Sequence, residues 1–169
     1  MSGSRKLLIA AGLALAVWGM SYGLYYALFD EHQTLEKIGG SLAASFVSAA
    51  ERKIPEAHAS LDEYSAAKFE YVREVDVHSH WIGLAMLLIV MGVIFDRVAF
   101  EERKRVYFAW ALVIGAVVFP LGGILQTVNR GQAPRAIAII GSTLIIIALA
   151  LIALGFSRNQ KGGENNEEE

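Results

Sequence analysis

Apolar residues gather into four blocks, which cover 7–29, 80–100, 106–128 and 136–156 and are separated by charged and polar segments. Each block has about 20 residues, the length that an α-helix needs to cross the hydrocarbon core of a bilayer. Backbone groups inside lipid must pair within the chain, so the blocks are predicted to be helices. A soluble amphipathic helix would show a polar face, and "AIAIIGSTLIIIALALIALGF" shows none. The pattern predicts an all-α integral membrane protein, a four-helix bundle.

The first block follows two basic residues, Arg5 and Lys6, as a signal sequence does. Its apolar stretch continues through several aromatic residues to Phe29, and "YYALFDEHQ" at its end contains no small-x-small cleavage site. We therefore expect residues 1–29 to form an uncleaved signal anchor, which is the first span.

Residues 30–77 form a predicted outer helical segment that is too long for a simple turn. "TLEKIGGSLAASFVSAA" indicates a short helix broken near Gly39 and Gly40. A long helix over about 55–100 is predicted to start at Pro55, because proline is favoured in a first helical turn. One stripe follows this helix in steps of four and three residues and is predicted to pack on the preceding helix: Ala57, Leu61, Tyr64, Lys68, Tyr71, Val75 and His78.

Charge predicts the orientation of the chain. Residues 30–77 hold ten acidic and five basic residues, a net charge of −5, whereas the short loop "DRVAFEERKRV" holds four basic residues. The positive-inside rule places this loop and both termini in the cytoplasm. Residues 78–157 then contain spans two to four, and the polar 158–169 are predicted to be a disordered cytoplasmic tail. A short chain with this basic start is expected in a bacterial inner membrane.

All four histidines, His32, His58, His78 and His80, fall on the predicted outer side. Two residues on an α-helix correspond to about 200° of rotation, so His78 and His80 point to nearly opposite sides and do not share one metal ion. We expect one ring to face the bundle and the other to face away. A neutral imidazole is a good ligand for haem iron, copper or zinc. The alternative is an interfacial belt of histidines and Trp81.

The segment "HSHWIGLAMLLIVMGVIF", which begins at His78, resembles the His-x-His helix of the haem–copper oxidase subunit I superfamily. Residues 77–158 are similar to small four-helix bacterial membrane proteins that look like fragments of that superfamily. No span has a histidine in its interior, so the resemblance does not extend to a copper centre. It implies that a b-type haem binds, with His78 or His80 as one axial ligand and His32 as the second.

Two functions follow from these observations. The first is a haem- or metal-binding accessory of an electron-transfer chain. The second is a structural or scaffold subunit of a larger membrane complex with no cofactor, for which Gly19 and Gly23 offer a GxxxG contact surface. A transporter is disfavoured, because no span has a charged residue near its middle. The expected partners are the lipid bilayer and other membrane protein subunits, not nucleic acid.

The composition also excludes several kinds of chemistry. The chain has no cysteine, so disulfides, iron–sulfur clusters and thiolate metal sites are ruled out. It contains no Gly-rich phosphate loop, no nucleophile elbow and no HExxH motif. We therefore expect no catalytic activity from this chain on its own.

Overall fold

The computed structural model describes residues 2–164, with side chains described over 2–157, and the described part of the chain is all-α. Its helices are α1 (Gly3–Phe29), α2 (Glu31–Ala50), α3 (Ile54–Ile94), α4 (Glu102–Val128) and α5 (Gln132–Glu164). Helices α1, α3, α4 and α5 are long and apolar enough to cross a membrane. The predicted all-α four-helix bundle is confirmed, and the chain is a multi-pass membrane protein.

Helix α3 is the longest element of the fold. Its 41 residues correspond to roughly 60 Å at 1.5 Å per residue, about twice the length of a membrane span. Its first half packs against α2, and we call this pair the hairpin (residues 31–76). Only Asp30 separates α1 from α2. The hairpin therefore continues from one end of the bundle, which we call the hairpin end, and the prediction of one long second helix is confirmed.

The predicted end of this helix near Phe100 is wrong, because α3 stops at Ile94. A 3₁₀ turn, Phe95–Arg97, follows it. After this turn the backbone N–H of Ala99 donates to the Gly155 carbonyl of α5 at 3.3 Å, and the Phe100 ring lies against Gly155, where any side chain would collide with it. The loop between α3 and α4 thus closes the end of the bundle opposite the hairpin.

Helix α5 is longer than the sequence indicated. It continues to Glu164, so the predicted disordered tail over 158–169 begins within a helix. Residues 165–169 of that predicted tail lie outside the described residues.

Helices α1 and α3 pack with their backbones close together, because glycines of α1 face α3. A side chain at Gly12 would run into the backbone carbonyl of Ala85, and Gly19 lies against the side chain of Trp81. Small residues allow such close approach between membrane helices. The Gly19 and Gly23 surface, which we expected to contact another subunit, is therefore used within the chain.

Helices α4 and α5 form a second close pair. Gly122 of α4 lies on the backbone of Ala138, and Gly141 of α5 lies on the backbone of Phe119. Helix α4 also packs on α1 and α3, so it joins the two pairs around one core. The largest fully buried hydrophobic side chains of this core are Trp81, Phe95, Leu8, Leu88, Leu112 and Ile152.

Helix α2 is continuous, so the predicted break near Gly39 and Gly40 is wrong. A side chain at either glycine would meet nothing within 4 Å, which places both on the open side of the helix. A glycine inside a helix costs about 1 kcal/mol relative to alanine. The neighbouring Ser41 and Ser45 are buried, and their packing in the hairpin offsets that cost.

Small side chains fill the seam between the two helices of the hairpin, and the buried ones are Ser41, Ser45, Ala57 and Ala67. The stripe predicted along α3 is therefore only partly right. Its Tyr64 and Tyr71 are half-buried, but Leu61 and Val75 are 41% and 40% exposed. Two helices whose contact surface consists of alanine and serine leave little room between them for larger side chains. The larger side chains therefore lie beside the seam.

At the end opposite the hairpin, charged side chains fix the start of α1. The Arg5 guanidinium pairs with Asp96 at 3.2 Å, and Arg105 pairs with Glu102 at 3.2 Å. The backbone N–H of Ser4, which is fully buried, donates to the Glu102 carboxylate at 2.9 Å. First-turn N–H groups have no partner within their own helix, so Glu102 caps α1 from α4.

The close contact of α4 and α5 predicts the effect of a single methyl group. Gly122→Ala would place its Cβ on the Ala138 backbone, and overpacking of this kind costs about 1–3 kcal/mol. We expect a lower midpoint of thermal unfolding in detergent, measured by circular dichroism. Gly83→Ala is the control, because a Cβ there meets nothing within 4 Å. Equal midpoints for the two variants would contradict the packing described.

Candidate functional site at the hairpin end

The histidines of the His-x-His pair lie on opposite sides of α3, as the helical rotation predicts. Nδ1 of His78 lies 2.9 Å from the Gly19 carbonyl oxygen of α1. The His80 ring packs edge-to-face on Phe119 of α4, with 4.8 Å between the ring centroids. Each ring thus contacts a different neighbouring helix, and the His80 side chain, which packs on α4, is also 41% exposed.

His78 fits against α1 because Gly23 leaves space for its ring. Any side chain at residue 23 would overlap the imidazole. The Gly19 carbonyl only accepts hydrogen bonds, so Nδ1 of His78 carries the hydrogen and donates it. This is the bond that often orients a metal-ligating histidine. Here, however, Nε2 also lies against Gly23, which leaves no space for a porphyrin at that nitrogen.

His80 has a partner within its own helix. Its Nδ1 lies 2.7 Å from the Asp76 carbonyl oxygen, one turn earlier. The cavity between His80 and Phe119 has a volume of about 60 Å³. This is room for a few water molecules at most. A second, open cavity of about 240 Å³ lies beside His80 against Ser79, Gly83 and Leu84, and both volumes are below the roughly 300–1,000 Å³ of cofactor pockets.

The third predicted haem ligand, His32, lies on the surface of α2. Its side chain is 86% exposed, and its Nε2 lies 3.2 Å from the Glu36 carboxylate. The predicted ligands therefore face three different surroundings and do not fit a haem held between two imidazoles. Within residues 2–157, no group of three or more His, Cys, Asp or Glu side chains is placed to hold a metal ion. Haem ligation stays a prediction from the resemblance alone.

A cavity of about 270 Å³ lies nearby, where α1, α2 and α3 meet. We call it the tyrosine–carboxylate cavity, and its walls are Tyr22, Tyr25, Tyr26, Asp30, Gln33, Thr34, Glu70 and Glu74. The Tyr22 hydroxyl donates a hydrogen bond to the Glu74 carboxylate and so ties α1 to α3. The cavity combines aromatic side chains with negative charge.

An aromatic layer lies below this cavity. The Trp81 side chain is 1% exposed, and its ring meets the rings of Trp18 and Tyr22 edge-to-face, with centroids 5.9 Å and 5.1 Å apart. Such pairs are stabilised by the ring quadrupoles beyond the area that they bury. The layer separates the polar cavity from the apolar core and fixes the Tyr22 ring at the cavity wall.

Sequence reasoning missed the tyrosine–carboxylate cavity. Two signals were present, a cluster of tyrosines at the end of the first span and Glu70 and Glu74 four residues apart on one helical face. Nothing in the sequence connects the two, because they become neighbours only when α3 runs back along α1.

Comparison with known proteins adds no assignment, since no protein-family model, curated protein or solved structure matches this chain. The functional argument therefore depends on the residues and their geometry.

An absorption spectrum decides the haem prediction. From the packing of His78 and His80 we expect no Soret band in protein purified from a host grown with excess haem. A band that disappears in His80→Ala and persists in His58→Ala, an exposed hairpin histidine, would show that this expectation is wrong.

The bond between Tyr22 and Glu74 predicts an energetic coupling. A hydrogen bond to a charged group contributes about 1.5–3 kcal/mol, so Tyr22→Phe and Glu74→Gln should each lower the unfolding midpoint in detergent. We expect the double variant to lose less stability than the sum of the single losses. Tyr25→Phe, whose hydroxyl has no hydrogen bond within the described residues, is the control. Strict additivity would show that the bond contributes nothing.

Proposed function

We propose that this multi-pass membrane protein is a non-catalytic structural subunit that binds another membrane-spanning protein through its hairpin. The observation behind the proposal is an inverted packing pattern, with small residues inside the hairpin and large apolar residues outside it. A role in electron transfer would need a haem site that the histidine geometry does not favour, so the structural role ranks first.

Buried Ala57 and half-buried Tyr64 and Tyr71 recur at seven-residue intervals on α3, so the two flanks of that side can be assigned. The residues one position before these three are Glu56, Glu63 and Glu70, and they make one flank acidic. Lys37 of α2 lies 3.9 Å from Glu63, which shows that this flank of α3 meets the corresponding flank of α2. The opposite flanks of the two helices therefore also lie side by side.

That opposite side of the hairpin is apolar. It carries six large side chains that are 40–68% exposed, and we call it the apolar face: Leu35, Phe46, Ile54, Leu61, Val72 and Val75. Burying one such side chain fully contributes about 1.5–3 kcal/mol. Several large apolar side chains exposed on one side of an extramembrane element, here with Lys68 among them, are typical of a protein–protein contact.

The other described helices leave this face uncovered. Helix α4 lies against the acidic flank side of α3, where Gly123 meets Val77 and Phe119 meets His80. The apolar face therefore continues into the lipid-facing surface of α3, on which Met86 and Val90 are 62% and 55% exposed. A partner that covers this continuous surface would itself have to enter the membrane.

The proposal includes an orientation. Residues 30–77, which include the hairpin, have a net charge of −5, and basic residues gather in the loop at the opposite end. By the positive-inside rule, these charges support a hairpin outside the cytoplasm and both termini in the cytoplasm. The short chain with its basic start supports a location in a bacterial inner membrane.

Cysteine scanning tests this proposal, because the chain has no cysteine of its own. Leu61→Cys and Glu63→Cys place a single thiol at nearly the same height on opposite flanks of α3. Modification of both by a membrane-impermeant maleimide in intact cells would support the orientation. With a benzophenone attached to the thiol, we expect irradiation of native membranes to yield an adduct at residue 61 and none at residue 63.

Mass spectrometry of the adduct identifies the partner and shows whether it is a second copy of this chain. The absence of any adduct at residue 61, equal adducts at both positions, or an adduct with a protein that has no membrane span would contradict the proposal.

A further inference from the structure

The tyrosine–carboxylate cavity holds negative charge that no described basic side chain neutralises. Three carboxylates, Asp30, Glu70 and Glu74, are among its walls, and no Lys, Arg or His side chain is. None of the three forms an ion pair within residues 2–157. Opposite charge within about 4–6 Å is what stabilises neighbouring carboxylates in their ionised form, so a bound cation would supply what is missing.

The remaining walls of the cavity select the kind of cation. Tyr22, Tyr25 and Tyr26 present three aromatic rings, and the faces of such rings attract cations, most strongly where water is displaced. Tyr22 donates its hydroxyl hydrogen to Glu74, which polarises the ring towards greater negative charge. The Tyr26 hydroxyl oxygen is buried at this wall, close to the Thr34 side chain.

A bare metal ion does not suit this arrangement. The described residues include no group of three or more His, Cys, Asp or Glu side chains at metal-binding spacing. The cavity of about 270 Å³ lies just below the range of about 300–1,000 Å³ found for small-molecule pockets. We infer that the tyrosine–carboxylate cavity binds a small organic ammonium ion, held by ring faces and by the surrounding carboxylates.

The ammonium group has two possible sources. It can belong to a free solute, or to the headgroup of a membrane lipid, because the cavity lies at the end of a span where tyrosine and tryptophan mark the interface. The chemistry that recognises the group is the same in both cases, so the two sources are separated by experiment.

Calorimetry with tetramethylammonium chloride tests the inference, with the full chain in maltoside micelles and sodium chloride at equal ionic strength as the reference. We expect saturable binding that Glu70→Gln weakens about tenfold or more, because it removes one of three carboxylates. Tyr25→Leu should weaken binding roughly threefold to thirtyfold, the range of a cation–π contact. Glu56→Gln is the matched control, since this exposed glutamate lies outside the cavity.

Added phosphatidylethanolamine distinguishes the two sources. If the lipid headgroup occupies the cavity, this lipid weakens tetramethylammonium binding and phosphatidylglycerol does not, and if the ligand is a free solute, neither lipid has an effect. Both results support an ammonium site. The inference is overturned if no heat appears beyond that of sodium chloride, or if Glu70→Gln and Tyr25→Leu, with unchanged helical content, bind as Glu56→Gln does.

Discussion

The close approach of α1 and α3 at glycine positions is the constraint on which the hairpin end depends. With no side chain at Gly19 and Gly23, the backbone of α1 lies within reach of α3 residues. The His78 imidazole then donates to the Gly19 carbonyl, and the Tyr22 hydroxyl reaches Glu74. A larger residue at position 23 would push the helices apart and break both contacts. The positions of His78, Tyr22 and the cavity above them therefore all depend on the absence of a side chain at residue 23.

Close packing of helices through small residues continues from the bundle into the hairpin. Helix α2 follows α1 after a single residue and meets α3 through a seam in which serine and alanine replace glycine. A seam this narrow cannot accept leucine, valine or phenylalanine, so these residues lie on the flanks. The apolar face of the hairpin is therefore a consequence of close packing in the seam, and the proposed partner would cover the side chains that the seam excludes.

The sequence predicts those features that depend on length and rotation alone. The number of spans follows from apolar blocks that match the bilayer thickness, and the opposed rings of His78 and His80 follow from 100° of rotation per residue. It fails where tertiary packing decides. Gly39 and Gly40 are tolerated because the burial of Ser41 holds α2 against α3. Periodicity alone cannot distinguish two adjacent stripes, so Leu61 was assigned to a seam that in fact holds Ala67.

The two ends of the bundle differ in whether their carboxylates pair with basic side chains, and this difference bears on what the cavity binds. At the end opposite the hairpin, Arg5 and Arg105 neutralise Asp96 and Glu102 within one network. The chain can therefore pair its acidic residues where their only role is to hold helices together. At the hairpin end the carboxylates around the cavity have no basic partner among residues 2–157, although Arg73 on the same helix pairs with Asp76. A cation bound at the proposed site would link α1, α2 and α3 where they meet. The same cation would hold the hairpin in place above the bundle, so ligand binding and partner binding at this end are expected to reinforce each other.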